Sequence, residues 1–265
     1  MKRLPLLCLA LLACARLLSS CGMFTHESVG TENVADSASY EENGKTCAVS
    51  LDVDYPAGGD PLMVRGVKQW MGGLLGLTDT TAMAGPAKFA EAFFKKNEPG
   101  REMLKNHPEG YRYELTVRKA VEAKAYVTFV IDTRTADGAS VAFVCRGATF
   151  VKPTAKVFGY DMFAEENARS LAVLLTKGLQ RFFEAEDFAS LTREVPSELF
   201  SPTDQGVNVL PQADPWIEDG DVVFQYAQGE LQGATASSPQ VRVPLREARP
   251  LFSPDFKRAL QEAEK

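Results

Sequence analysis

Histidine and tryptophan are scarce in this chain of 265 residues, with two of each. Two histidines, His26 near the start and His107 beside Pro108, leave no basis for a His-rich metal centre or for chemistry that needs several imidazoles. Basic charge is also in deficit: 29 Lys and Arg stand against 35 Asp and Glu, a formal charge of −6. Nucleic-acid binders carry a basic field, so nucleic acid is excluded as a partner class. No apolar run reaches the roughly 20 residues needed to cross a bilayer core of ~30 Å. The chain holds no G-x-S-x-G, S-x-x-K, C-x-x-C, H-E-x-x-H, phosphate-binding loop or G-x-G-x-x-G. No catalytic residue, metal or cofactor is therefore expected. What is present, 45% apolar and 24% charged residues, is the composition of a globular protein able to bury a sizeable core.

The N-terminus reads as an address. Lys2 and Arg3 precede a short apolar run, Leu4 to Ala15, as in a secretory signal. Leu18-Ser19-Ser20-Cys21 resembles the bacterial lipobox, whose cysteine receives diacylglycerol before the signal is removed. The resemblance implies a signal peptide over 1–20 and a mature chain held in a membrane of the bacterial cell envelope by lipid on Cys21. Two or three acyl chains, palmitate among them, anchor firmly where one would not. Loss of Lys2, Arg3 and Arg16 leaves 26 basic against 35 acidic residues, a charge of −9 that would attract a basic partner and would equally suit a protein that only stays soluble and off anionic lipid. Of five cysteines, Cys8 and Cys14 leave with the signal and Cys21 carries lipid. Cys47 and Cys145 remain, both on the apolar phase of expected strands. A disulfide across adjacent strands would close a loop of ~100 residues and stabilise by up to about 4–5 kcal/mol; two buried free thiols are the alternative.

Polar residues 21–45, with little periodicity, predict a flexible tether. Alternation from Lys45 to Tyr55 predicts a strand, and Pro61 with Val64, Val67, Trp70, Met71, Leu74 and Leu75 a helix. A second helix carries Phe89, Phe93 and Phe94. Three strands follow, from Tyr111, from Ala123 and from Ala139, with a turn at Thr135–Gly138. Glu165 to Phe183 reads as a long helix with Leu171, Leu174, Leu175, Leu179 and Phe182 on its buried stripe. Three short strands (Asn208–Leu210, Asp221–Tyr226, Gln240–Pro244) and a closing helix from Phe256 complete the chain. The expected fold is α+β, an antiparallel sheet with helices packed on one face, in two consecutive subdomains, 46–148 and 149–265.

From Thr149 to Phe252 the order of elements resembles a known family. The residues that carry the resemblance are Gly159-Tyr160-Asp161-Met162-Phe163, the long helix, Glu198-Leu199-Phe200, the stretch Trp216 to Tyr226, and Val241 to Phe252. They are similar to the domain of unknown function in the extracellular part of the lysozyme-sensing anti-sigma factor RsiV and in some peptidoglycan deacetylases. The resemblance implies a lysozyme-like basic protein as the partner. A Pro-Tyr pair common in that family after the first hairpin strand is replaced here by Ala227-Gln228.

The candidate binding residues lie in the connection 227–239, too long for an ordinary hairpin. Gln228, Gly229, Glu230 and Leu231 are its contact candidates, with Trp216 beside them; a disordered surface insertion is the alternative. Asp52 and Asp54 share a strand face and, with Asp60, offer oxygen ligands for calcium, but the spacing is not that of an EF-hand, and solvated aspartates fit better. His26 and His107 read as solvated loop histidines. The expected function is a non-catalytic binding module for a protein or cell-wall ligand; the alternative is a cell-envelope hydrolase, or an accessory domain of one, using carboxylates.

Overall fold

A computed structural model describes residues 28–77, 80, 83–152, 154–187, 189–191, 210–231 and 238–264. The signal peptide, Cys21, Glu198-Leu199-Phe200 and most of the strand expected at Asn208–Leu210 lie outside the described residues. The first sheet has six strands in the order β1 (Gly30–Glu42), β2 (Lys45–Gly58), β3 (Tyr111–Glu122), β4 (Tyr126–Asp137), β5 (Ser140–Val151) and β6 (Lys156–Val157). The second has three: β7 (Trp216–Glu218), β8 (Asp221–Gln225) and β9 (Gln240–Pro244). Among the described residues no helix is long and apolar enough to cross a membrane.

The fold is α+β as expected, with one refinement: β2 and β3 run parallel, Cys47 beside Tyr111 through Val53 beside Val117. A parallel pair needs a crossover, supplied by α1 (Pro61–Leu75), α2 (Pro86–Lys96) and α3 (Arg101–Asn106). The Asp60 carboxylate accepts from the amides of Leu62 and Met63 and so starts α1, with Pro61 just inside the cap. Val67 and Met71 of α1 and Phe89 and Phe93 of α2 cover the sheet face built from Val49, Leu51, Val53, Leu115, Val117, Phe129 and Phe150.

The expected tether is corrected from Gly30 onward. Residues Gly30–Glu42 form the outermost strand, antiparallel to β2. Asn43 and Gly44 both take positive φ, 53° and 74°, the two-residue turn whose twist suits a hairpin. Only Val34 of β1 packs against the core as a partly buried apolar residue, so β2 serves as template for a strand whose own composition is polar.

The second module packs on the opposite face of the first sheet. There, α4 (Ala168–Phe182) buries Leu171, Leu175 and Leu179 against β8 and β9, while Phe182 is exposed, one turn past the covered stripe. Helices α5 (Leu245–Ala248) and α6 (Pro254–Glu264) close the chain. Across the seam between modules, the buried polar groups are satisfied: Thr128 Oγ1 donates to the Ile217 carbonyl at 2.7 Å, and the Ile217 amide donates to Thr149 Oγ1 at 2.7 Å. Since Thr149 belongs to β5, the expected boundary between residues 148 and 149 falls inside a strand of the first sheet.

Candidate binding edge

The two long edges of the first sheet are treated differently. On β1, Glu32, Asp36, Glu41 and Glu42 line the border, and charge on an edge strand discourages pairing with another chain. On the other side, β6 reaches only Phe150 and Val151 of β5. Among the described strands, Ser140–Thr149 pair with β4 alone. That half of β5 is apolar and open: Val141, Phe143 and Val144 are 51%, 46% and 44% exposed. Val141 and Phe143 face one side of the sheet and Val144 the other, so the strand offers an apolar residue to each side of any segment laid along it.

The tip of β5 opens into a depression of about 470 Å³, lined by Tyr111, Thr135, Asp137, Val141, Ala142 and Gln228. The structure thus brings the expected contact residue Gln228 to the open edge. Gly229, with φ +77°, is exposed beside it. The Ser238 hydroxyl donates to the Phe143 carbonyl at 3.4 Å, which places the described end of the connection 227–239 beside this strand; its residues 232–237 lie outside those described. His107, expected as a solvated loop residue, is instead held. Its Nδ1 lies 2.8 Å from the Asp137 carboxylate, and its ring stacks on Tyr111 at 4.4 Å between centroids. Proximity to Asp137 is a tertiary fact that no local spacing around Pro108 announced.

The other candidates have structural roles. Glu230 accepts from the amides of Gln212 and Ala227, stapling the loop base, and Leu231 is buried in the core of the second module. Trp216 is fully buried, with Val130, Cys145 and Val223 around it. It lies so close to Gly147 that a Cβ there would sit 2.2 Å from the indole. Its Nε1 donates to Glu218 at 3.0 Å. Glu218, 4% exposed, also meets Arg118 at 2.5 Å and Arg242 at 3.3 Å. Burial alone would raise its pKa, but the bonds from Trp216 and Arg118 outweigh that and hold the carboxyl below its ordinary value.

The disulfide expectation is corrected. Cys47 and Cys145 are both buried and free. They sit on β2 and β5, three strand spacings apart or roughly 14 Å, against at most about 7 Å for bridgeable Cα atoms. They also face opposite sides, Cys47 in phase with Val49 and Leu51, Cys145 beneath Trp216. Burial, with Asp132 adjacent, raises the Cys145 pKa strongly, which keeps the thiol protonated. The three aspartates weighed for calcium are also committed elsewhere: Asp52 accepts from Asn33, Asp54 from the Lys119 amide, and Asp60 caps α1. Among the described residues no group of three His, Cys, Asp or Glu is placed to hold a metal ion.

A further polar knot gathers where the described chain begins. The Ser28 hydroxyl and the Val29 amide both donate to Glu122, at 2.6 and 2.9 Å. Lys152 and Lys119 reach the same carboxylate at 2.6 and 3.1 Å. Burial works against the charged form, but these four donors outweigh it and hold the carboxyl at a pKa of about 2.

The chain matches no family model and no curated protein. Its fold is that of solved DUF3298 proteins. The crystal structure of a DUF3298 family member from Bacteroides fragilis covers 90% of this chain and 99% of its own, with a TM-score of 0.66 at 11% identity. A DUF3298 protein from Pseudomonas aeruginosa PAO1 covers 88% and 98%, with a TM-score of 0.57 at 14% identity.

Proposed function

We propose that this chain is a lipid-anchored, non-catalytic envelope protein that binds a protein partner along the open half of β5. The observation that carries the reading is the contrast between edges: a long acidic border on β1 and an apolar border at Val141, Phe143 and Val144 on β5. Edge strands of this kind recruit an extended segment by main-chain hydrogen bonds, with alternate side chains giving specificity. An exposed apolar patch at a strand edge otherwise invites aggregation. The two buried carboxyls with lowered pKa, Glu122 and Glu218, are spent in closed ion-pair knots rather than facing a cleft, which favours binding over hydrolysis. Lipidation of Cys21 rests on the lipobox resemblance and the basic, apolar leader before it. The partner chemistry favoured by a mature charge of −9, and by the resemblance to the lysozyme sensor, is a basic lysozyme-like protein.

Calorimetric titration of the chain from residue 22 onward with a C-type lysozyme, at about 150 mM salt where surface attraction is screened beyond ~8 Å, tests this. Saturable one-to-one binding that Phe143→Lys abolishes is the expected result. The absence of heat and of co-elution would remove lysozyme as the partner, and saturable binding untouched by Phe143→Lys would remove the β5 edge.

A further inference from the structure

The first sheet has two ends, and the chain enters at only one of them. Ser28 and Val29 are clamped there by Glu122, and Lys119 Nζ donates to the Val29 carbonyl at 2.9 Å. Gly59, at φ +97°, closes the clamp from the other side: a Cβ at that position would sit 2.1 Å from the Ser28 carbonyl oxygen. The entry point is therefore fixed relative to the sheet. At the same end lie the finish of β2 and β5 and the turn from β3 to β4. The tips Asn43–Gly44 and Gly138–Ala139 lie at the other end, about 40 Å away along the twelve residues of β5.

Resting on the lipidation of Cys21 stated above, we infer that the entry end seats against the headgroups of the bilayer in which Cys21 is anchored, and that the tip of β5 points away from it. The length of chain between Cys21 and Ser28 carries the argument. Seven peptide steps reach at most about 25 Å even when fully extended. That is shorter than the sheet, so the chain is unable to run back past it and place the far tips on the membrane with Ser28 uppermost. The surface so presented suits a headgroup layer. The turn between β3 and β4 borders an open depression of about 360 Å³ lined by Ala125, Tyr126, Leu245 and Leu260, with Lys124 at its rim. Leu62, at the start of α1, is 47% exposed beside the clamp. A cationic rim around apolar side chains matches the boundary between phosphate and acyl chain.

The test uses the full chain, acylated in cells, purified in detergent and reconstituted into vesicles of phosphatidylethanolamine with a minority of phosphatidylglycerol. Single reporters at Lys124→Cys, Leu62→Cys and Ala139→Cys carry a fluorophore, the two native thiols being buried. Lipids with a nitroxide on the headgroup act as quencher. Strong quenching at positions 124 and 62 with none at 139 is expected. Equal quenching at all three, or quenching greatest at 139, overturns the orientation. Failure of the chain to float with vesicles, together with no incorporation of labelled palmitate, overturns lipidation instead. In that case the chain from residue 22, joined through its N-terminal amine to lipid in the same vesicles so that the tether keeps its length, still decides the geometry by the same three reporters.

Discussion

Replacing Glu122 by Gln removes one charge from the knot that fixes Ser28, Lys119 and Lys152, and its effect has a sign that depends on pH. The carboxyl is held at about 2 against an ordinary 4.5. At about 1.4 kcal/mol per pH unit this sets a ceiling of roughly 3.5 kcal/mol, and solvent screening at a side chain still 15% exposed lowers it to about 2–3 kcal/mol. Because the folded pKa lies below the unfolded one, that stability is fully present above a pH of about 4.5 and is lost as pH falls toward 2. Lys152, 4% exposed, loses its partner in the variant, which holds the neutral-pH difference at the upper end of the range. Urea unfolding from neutral pH down to about 2.5 measures the gap between the natural chain and Glu122→Gln. The gap should be about 3 kcal/mol near neutrality and shrink toward zero in acid. Hydrogen exchange at the Val29 amide should accelerate in the variant. A gap that stays constant across the pH range would refute the argument, since an uncharged packing role has no reason to titrate.

Other substitutions separate structural from functional residues. Trp216→Ala empties a fully buried site and removes one of the donors to Glu218, and should cost about 3–5 kcal/mol in urea unfolding. Phe143→Lys touches only an exposed side chain, so it should shift stability by no more than about 0.5 kcal/mol while weakening partner binding at least tenfold by calorimetry. Gly147→Val collides with the Trp216 indole and should lower the melting temperature sharply, whereas Gly229→Ala, with open space around it, should cost only the strain of its positive φ. Thiol titration of the unreduced chain from residue 22 should find Cys47 and Cys145 unreactive when folded and both reactive in urea.

Where a segment buried its own alternating apolar residues, it was legible. The β2 stretch, α1 with Trp70 edge-on to Phe150, α4 and the β8–β9 pair follow from periodicity because their packing is local in phase. Residues 30–42 were not legible from composition, since an edge strand gains its order from a neighbour; the Asn43-Gly44 turn was the one local signal, and it lay inside a stretch read as tether. The parallel step from β2 to β3 was hidden for a related reason: strand direction is set by the crossover, not by the strand. Of the expected contact residues, Gln228 and Gly229 are exposed, while Trp216 and Leu231 went to the core. The open edge of β5 has no sequence mark at all, because Val141 and Phe143 read like any half-buried strand until the neighbouring strand is known to stop at Phe150.

Under the export proposed above, the two thiols placed on opposite faces of one sheet bear on how the chain would survive the passage. A bond between them is incompatible with the fold, yet in an unfolded chain nothing keeps them apart. In an oxidising compartment, a molecule that lingered unfolded would be open to a crosslink that locks it out of its own structure. Once the first sheet closes over Cys47 and Trp216 settles over Cys145, burial keeps both thiols protonated and out of reach. Order of events, rather than final stability, then protects the protein: the yield of usable molecules depends on the sheet forming faster than the oxidant arrives.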